Sequence, residues 1–124
     1  MPLHAIVTRF EGSKWDIKEL QEKVIHFRDQ RDWGKYHNPK DLAISLSLEA
    51  AELLEIFQWK SQDQLESIRS DPKERQWVKE ELGDIFIYAL TLAYEFRFDP
   101  GEVILEKSTI NDDSENQSQS LRMK

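Results

Sequence analysis

Apolar and charged residues alternate with a helical period along most of this chain. From residue 17 the apolar positions recur every three or four residues with charges between them, as on one face of an amphipathic helix. Asp16 is a candidate N-cap for this helix, and Gly34 is the expected C-terminal stop. The pattern therefore predicts a first helix over about 16–34.

Helix-start signals recur further along the chain. Asn38-Pro39, Asp71-Pro72 and Asp99-Pro100 each place a capping side chain before a proline, which is favoured at the first helical position. They predict long helices over about 39–59 and 72–96 and a further helix from residue 100. Ser61 predicts a short helix over about 62–69.

No segment has the alternation of a strand, so the predicted fold class is all-α: a bundle of four main helices with an additional short helix. Residues 1–15 lack a clear period, and we expect an N-terminal arm there. The domain is predicted to cover residues 16–111. Because residues 112–124 are rich in Asp, Ser, Asn, Gln and Glu, we expect a disordered polar tail.

Charge and composition narrow the function classes. The 124 residues carry a net charge of −7, which disfavours non-specific binding to a nucleic acid polymer. The absence of cysteine excludes disulfides and thiolate metal sites. Since the chain also lacks an apolar leader segment and a run of membrane-spanning length, we expect a soluble cytoplasmic protein with no membrane partner.

The second predicted helix carries Glu49 and Glu52 inside a mostly apolar stretch, 46–57. Residues three apart are neighbours on a helix, so the two carboxylates repel each other and lose hydration. A solvated edge of the helix is the ordinary interpretation of such a pair. The apolar flanks favour the other interpretation, in which the pair meets a cation.

A second pair with the same spacing, Glu81 and Asp84, lies in the apolar run of the fourth predicted helix. Two such helices side by side would direct four carboxylates to one place. An all-oxygen set suits Mg²⁺, with Mn²⁺ as the alternative, and Mg²⁺ commonly shares its coordination with substrate phosphates. A di-iron bundle is disfavoured, because it takes a histidine three residues after a glutamate on two helices.

Four sequence words occur in an order that resembles the all-α nucleoside triphosphate pyrophosphohydrolases, the MazG-like superfamily. They are Arg31-Asp32-Trp33, His37-Asn38-Pro39-Lys40, the acid motif Glu49-x-x-Glu52 followed by Phe57-Gln58-Trp59, and Glu81-x-x-Asp84. The combination is most similar to the branch that contains dCTP pyrophosphatase. The resemblance covers about residues 16–111.

The resemblance implies a Mg²⁺-dependent enzyme that splits a (deoxy)nucleoside triphosphate, with dCTP or a related pyrimidine expected, into monophosphate and pyrophosphate. It implies a homodimer or homotetramer. The four acids would be metal ligands, and Glu49 would also orient or deprotonate the attacking water. Substrate contacts are implied for Trp33, Trp59, Tyr88, Lys107 and Asn111.

The chain departs from its relatives just after Asn111. Relatives commonly have a basic residue and a tyrosine where this chain has Ser114 and Glu115, preceded by Asp112 and Asp113. Negative charge near a triphosphate is unfavourable. This departure keeps open a second hypothesis, a non-catalytic helical bundle that binds a metal or nucleotide as a regulatory or interaction protein.

Overall fold

The computed structural model describes the backbone of residues 15–122 and the side chains of residues 15–115. This part forms helices α1 (Ile17–Gln30), α2 (Pro39–Phe57), α3 (Gln62–Ile68), α4 (Pro72–Glu95) and α5 (Pro100–Arg122), with a 3₁₀ turn at Gly34–Tyr36. Residues 15–122 contain no strand, which confirms the all-α prediction. None of the described helices is long and apolar enough to cross a membrane. The predicted N-terminal arm lies outside the described residues, apart from Trp15.

The predicted helix starts are confirmed, because each depends on a local hydrogen bond. The side chain of each predicted N-cap accepts a backbone N–H two or three residues further on; the caps are Asp16, Asn38, Ser61 and Asp71. At α3 the bond is reciprocal, since the Gln64 side chain also accepts the backbone N–H of Ser61.

Helix α1 ends earlier than predicted, at Gln30 rather than near Gly34. Asp32 adopts a left-handed conformation with φ of 56°. The N–H of Trp33 donates to the carbonyl of Arg28 at 3.1 Å, which is the closing bond of a Schellman motif. Gly34 has a different reason to be glycine: a Cβ there would lie 3.3 Å from Nε of Arg28, so the loop passes close over the guanidinium.

Helix α5 is longer than predicted. We expected disorder from residue 112, whereas the backbone is helical to Arg122. Polar composition alone does not end a helix, and after Gly101 the segment contains neither glycine nor proline. The backbone of residues 112–122 is therefore helical, where the composition predicts disorder.

The core forms where α4 crosses its neighbours. Helices α2 and α4 make the most extensive contact of the chain, and α1 packs on the C-terminal half of α4 and on α5. Leu42 and Thr91 are almost completely buried. Gln21 of α1 is also buried, and its Nε2 donates to the carbonyl of Leu90 at 3.1 Å, which fixes α1 against α4.

Large apolar side chains remain exposed on the two central helices. Leu48 and Leu54 of α2 are 60% and 56% exposed, and Phe86 of α4 is 63% exposed. A Cβ at Gly83 would meet nothing within 4 Å, so the described residues do not make the close packing that a glycine in mid-helix suggests. Among residues 15–115, apolar side chains on α2 and α4 are thus left exposed in a single chain.

Candidate active site

The contact between α2 and α4 brings the two acid pairs together. One carboxylate oxygen each from Glu49, Glu52 and Glu81 lies within 4.8 Å of the other two. Asp84 is one turn beyond Glu81 on α4, and its negative charge acts on Glu49. Glu49 and Glu81 are partly buried, while Glu52 is exposed. Three of the four predicted ligands therefore converge directly, with the fourth beside them.

Crowding of the carboxylates makes one of them harder to ionise. The pKa of Glu49 is raised to about 7, chiefly by a hydrogen bond with Glu81, and further by burial and by Glu52. Oε2 of Glu49 and Oε2 of Glu81 are both buried without a hydrogen-bond partner. Buried, unpaired carboxylate oxygens in an all-oxygen set fit a hard divalent cation such as Mg²⁺ or Mn²⁺.

Glu49 should make the stability of the metal-free protein depend on pH. Its folded-state pKa of about 7 exceeds the ordinary value of 4.5, so the folded chain holds the proton more tightly than the unfolded chain. This contribution to the free energy of unfolding is present below pH 4.5 and is lost as the pH rises through about 7. We expect a loss of about 1–2 kcal/mol, discounted for partial solvation. Urea unfolding with a chelator, at pH 5 and pH 8, measures it.

The free energy of unfolding of wild type is compared with that of Glu49→Gln, which lacks the titrating carboxyl group. Wild type should lose stability relative to the variant between pH 5 and pH 8, and Mg²⁺ at pH 8 should restore it. Glu80→Gln is the matched control, since Glu80 is exposed and accepts a hydrogen bond from Gln76. A difference between wild type and Glu49→Gln that is the same at both pH values would contradict the shared proton.

A cleft of about 820 Å³ adjoins the acids between α1 and α4. It includes Asp84 and Tyr88 on the α4 side and Phe27 on the α1 side, with Trp33 from the following loop. The Trp33 ring meets Phe27 edge to face, with centroids 5.8 Å apart. The volume is that of an ordinary small-molecule pocket. Three residues predicted from the sequence, Trp33, Asp84 and Tyr88, thus line one cavity.

A smaller cavity of about 450 Å³ lies on the other side of the acids. It is lined by three glutamates and by one isoleucine, one lysine and one tryptophan: Glu52, Glu55, Glu81, Ile56, Lys60 and Trp77. Nζ of Lys60 is 3.1 Å from Oε2 of Glu74, at the start of α4. Sequence reasoning missed Lys60 and Trp77, because a lysine and a tryptophan in charged surroundings carry no signal of their own.

The remaining predicted substrate residues are not brought to the acids within one chain. Trp59 lies just beyond α2 and is 87% exposed. Lys107 and Asn111 are exposed on α5. None of the three is among the residues that line the two cavities.

Comparison with known proteins decides the family. The profile of the MazG-like family matches residues 44–122, which include all four acids. The chain belongs to the MazG-like family. Its curated relatives include dCTP pyrophosphatase 1 of Bos taurus, 38% identical over 100 residues, and dCTP pyrophosphatase 1 of Homo sapiens, 38% identical over 95 residues. These matches cover 81% and 77% of this chain but only 59% and 56% of the relatives' own length.

A solved structure is similar to this MazG-like chain over nearly the whole bundle. The crystal structure of a pyrophosphatase from Archaeoglobus fulgidus superposes with a TM-score of 0.68 at 42% sequence identity. The match covers 79% of this chain and 90% of that chain.

A buried arginine of this MazG-like chain supports the wall of the larger cleft. Nη1 of Arg28 donates to Oε1 of Glu95 at 2.7 Å, and its Nε donates to Asp29 at 3.1 Å. Burial and the positive charge of Arg28 lower the pKa of His37, which lines the same cleft and is therefore neutral near pH 7. Sequence reasoning missed Arg28, because a single arginine in a charged helix does not indicate burial. Its hydrogen bonds connect α1 to α4 beneath the loop that carries Trp33.

Proposed function

We propose that this chain is a Mg²⁺-dependent nucleotide pyrophosphohydrolase that cleaves dCTP, or a related pyrimidine deoxynucleoside triphosphate, to the monophosphate and pyrophosphate. The observation that carries the proposal is the convergence of Glu49, Glu52 and Glu81 beside an aromatic cleft. The names of the relatives support the same activity. We expect the cytoplasm as its compartment, because its substrates are intracellular metabolites.

The four acids are proposed to hold the metal, with Glu52 and Glu81 opposite each other across the α2–α4 contact. A bound divalent cation supplies charge neutralisation at the phosphates and makes water easier to deprotonate. Glu49 is the residue proposed to orient the attacking water and accept its proton.

The base and sugar are proposed to occupy the larger cleft. Trp33 offers a ring face for stacking on the base, and Tyr88 lies one turn of α4 beyond Asp84, on the sugar side of the acids. Selectivity between bases requires cleft shape and hydrogen bonds, since stacking alone accepts any base.

Trp59, Lys107 and Asn111 are proposed to act on substrate in an assembled oligomer. In the described part of the chain none of the three lines either cavity, so their place at a site is proposed to come from a second protomer. The uncovered apolar faces of α2 and α4, with Leu48, Leu54 and Phe86, offer a surface for that protomer.

The protein should therefore be at least a dimer in solution. Burying exposed apolar side chains contributes about 25 cal/mol per Å² of apolar surface, which favours association of these helix faces. Sedimentation equilibrium at about ten micromolar measures the mass. Phe86→Lys should shift the equilibrium toward monomer, with Lys79→Glu as a control at an exposed position of the same helix. A wild-type monomer at tens of micromolar would contradict this part of the proposal.

Pyrophosphate release tests the activity directly. The assay uses dCTP, dTTP, dUTP, dATP and dGTP, each with Mg²⁺ and with a chelator. We expect release that requires the cation and is fastest with dCTP. Nucleotide binding without release would favour the alternative of a non-catalytic regulatory bundle, to which the acidic residues Asp112, Asp113 and Glu115 on α5 also point.

A further inference from the structure

The acid cluster lies between two cavities of different character. On α4, the smaller cavity is lined by Trp77 and Glu81, and the larger cleft is lined further along the helix by Asp84, Tyr88 and Thr91. With a rise of about 1.5 Å per residue, Trp77 lies about 6 Å before Glu81 and Tyr88 about 10 Å after it. A ligand centred on the acids therefore extends into both cavities in opposite directions.

The two cavities suit opposite ends of a nucleoside triphosphate. The larger cleft is mainly apolar and aromatic, which suits a base and sugar. If the α-phosphorus lies at the acids and the nucleoside lies in the larger cleft, the β- and γ-phosphates must point toward the smaller cavity. That cavity is lined by three glutamates, and among the described residues Lys60 is its one cationic side chain. A phosphate group there would therefore need Lys60 together with a cation held by the acids to offset the carboxylates.

Lys60 is held in place but keeps its hydrogen-bond donors for another partner. Its Nζ lies 3.1 Å from Oε2 of Glu74, and the two side chains are 30% and 26% exposed. An ammonium has three N–H donors, so the one engaged by Glu74 leaves two for another partner. A second ammonium is close by, because Nζ of Lys73 lies 5.1 Å from the centre of the Trp77 ring.

We propose that Lys60 binds the β- and γ-phosphates of the substrate and the pyrophosphate that leaves. This inference rests on the proposed function. In the reaction, the water oxygen bonds to the α-phosphorus while the bond from that phosphorus to the bridging oxygen breaks. The bridging oxygen departs with its electron pair as part of pyrophosphate. Lys60 remains protonated throughout and stabilises the negative charge that gathers on the leaving group.

Binding of the two products separately tests the role of Lys60. Calorimetric titration of the full chain in Mg²⁺ uses pyrophosphate and dCMP as probes. Lys60→Gln should weaken pyrophosphate binding by about tenfold to a hundredfold, the range for a lost charge-assisted hydrogen bond, and leave dCMP binding unchanged. Lys60→Arg retains the charge and should retain most of the affinity. Lys79→Gln removes an exposed charge on α4 and should change neither.

Glu74→Gln separates a phosphate contact from a structural ion pair. It removes the partner of Lys60 but leaves the ammonium, so pyrophosphate affinity should be kept or increased. An equal loss of pyrophosphate affinity in Glu74→Gln and Lys60→Gln would overturn the inference, as would a Lys60→Gln chain that binds pyrophosphate like wild type.

If wild type binds pyrophosphate through Lys60 but releases none from any triphosphate, the proposed activity fails and this site stands. If wild type hydrolyses dCTP while Lys60→Gln alters neither pyrophosphate binding nor KM, this inference alone fails.

Discussion

Glu81→Gln should lower kcat for dCTP hydrolysis by at least about a hundredfold while the protein stays folded. Substitution of a residue that only contacts a metal ligand already lowers metal affinity or activity by about 10- to 100-fold. Glu81 is proposed to be a ligand itself, so its effect should be at least as large. The folded chain should tolerate the change, because the amide can donate to Glu49 where the shared proton now lies. The loss of one negative charge from the cluster also relieves repulsion. Glu52→Gln should behave in the same way.

The measurement combines steady-state kinetics with thermal unfolding of the metal-free protein. Glu80→Gln is the matched control, since it neutralises an exposed carboxylate on the adjacent residue of α4 and should leave kcat unchanged. The variant should also lose the stabilisation that Mg²⁺ gives to wild type in the unfolding experiment, because ligand binding to the folded state raises its stability. Near-normal kcat in both Glu52→Gln and Glu81→Gln would remove the metal assignment.

Helix starts could be predicted from the sequence better than helix ends. An N-cap is a hydrogen bond between residues two or three apart, so the sequence immediately after Asn38 or Asp71 is enough to predict it. The end of α1 instead depends on the left-handed backbone conformation of Asp32. Glycine is the usual residue in that conformation, so the sequence pointed to Gly34. Composition was also a poor guide to the length of α5, since a helical backbone can continue through polar residues 112–122.

The candidate site was predictable where one helix determines it and less so where several elements meet. The spacing of Glu49 and Glu52 places both on one helix face, and packing of α2 on α4 then sets them against Glu81. The cleft is different, because its α1 wall depends on buried Arg28 and on the loop passing over it. Lys60 becomes distinctive only through its place in the smaller cavity.

Trp33→Ala should raise KM for dCTP by about tenfold to a hundredfold and change kcat much less. Trp33 lines the larger cleft and is 46% exposed, so a ring face is available to a bound base. Stacking of a base on an aromatic side chain is worth about 1–3 kcal/mol, which corresponds to this change in affinity. The acids and their spacing are untouched, because Trp33 lies on the loop after α1 while the acids lie on α2 and α4. The effect should therefore fall on binding rather than on the chemical step.

Two further variants separate stacking from simple loss of packing. Trp33 also packs edge to face on Phe27, and Trp33→Phe should keep both that contact and most of the affinity for dCTP. Tyr36 is an exposed aromatic residue of the same loop but does not line the cleft, so the KM of Tyr36→Ala should match that of wild type.

Comparing kcat/KM for dCTP, dTTP, dUTP, dATP and dGTP adds the test of base preference. Since a purine is the larger base and the cleft is bounded by Trp33 and Tyr88, purine triphosphates should be the poorer substrates. An unchanged KM in Trp33→Ala, or purines hydrolysed as well as dCTP, would show that the base binds elsewhere.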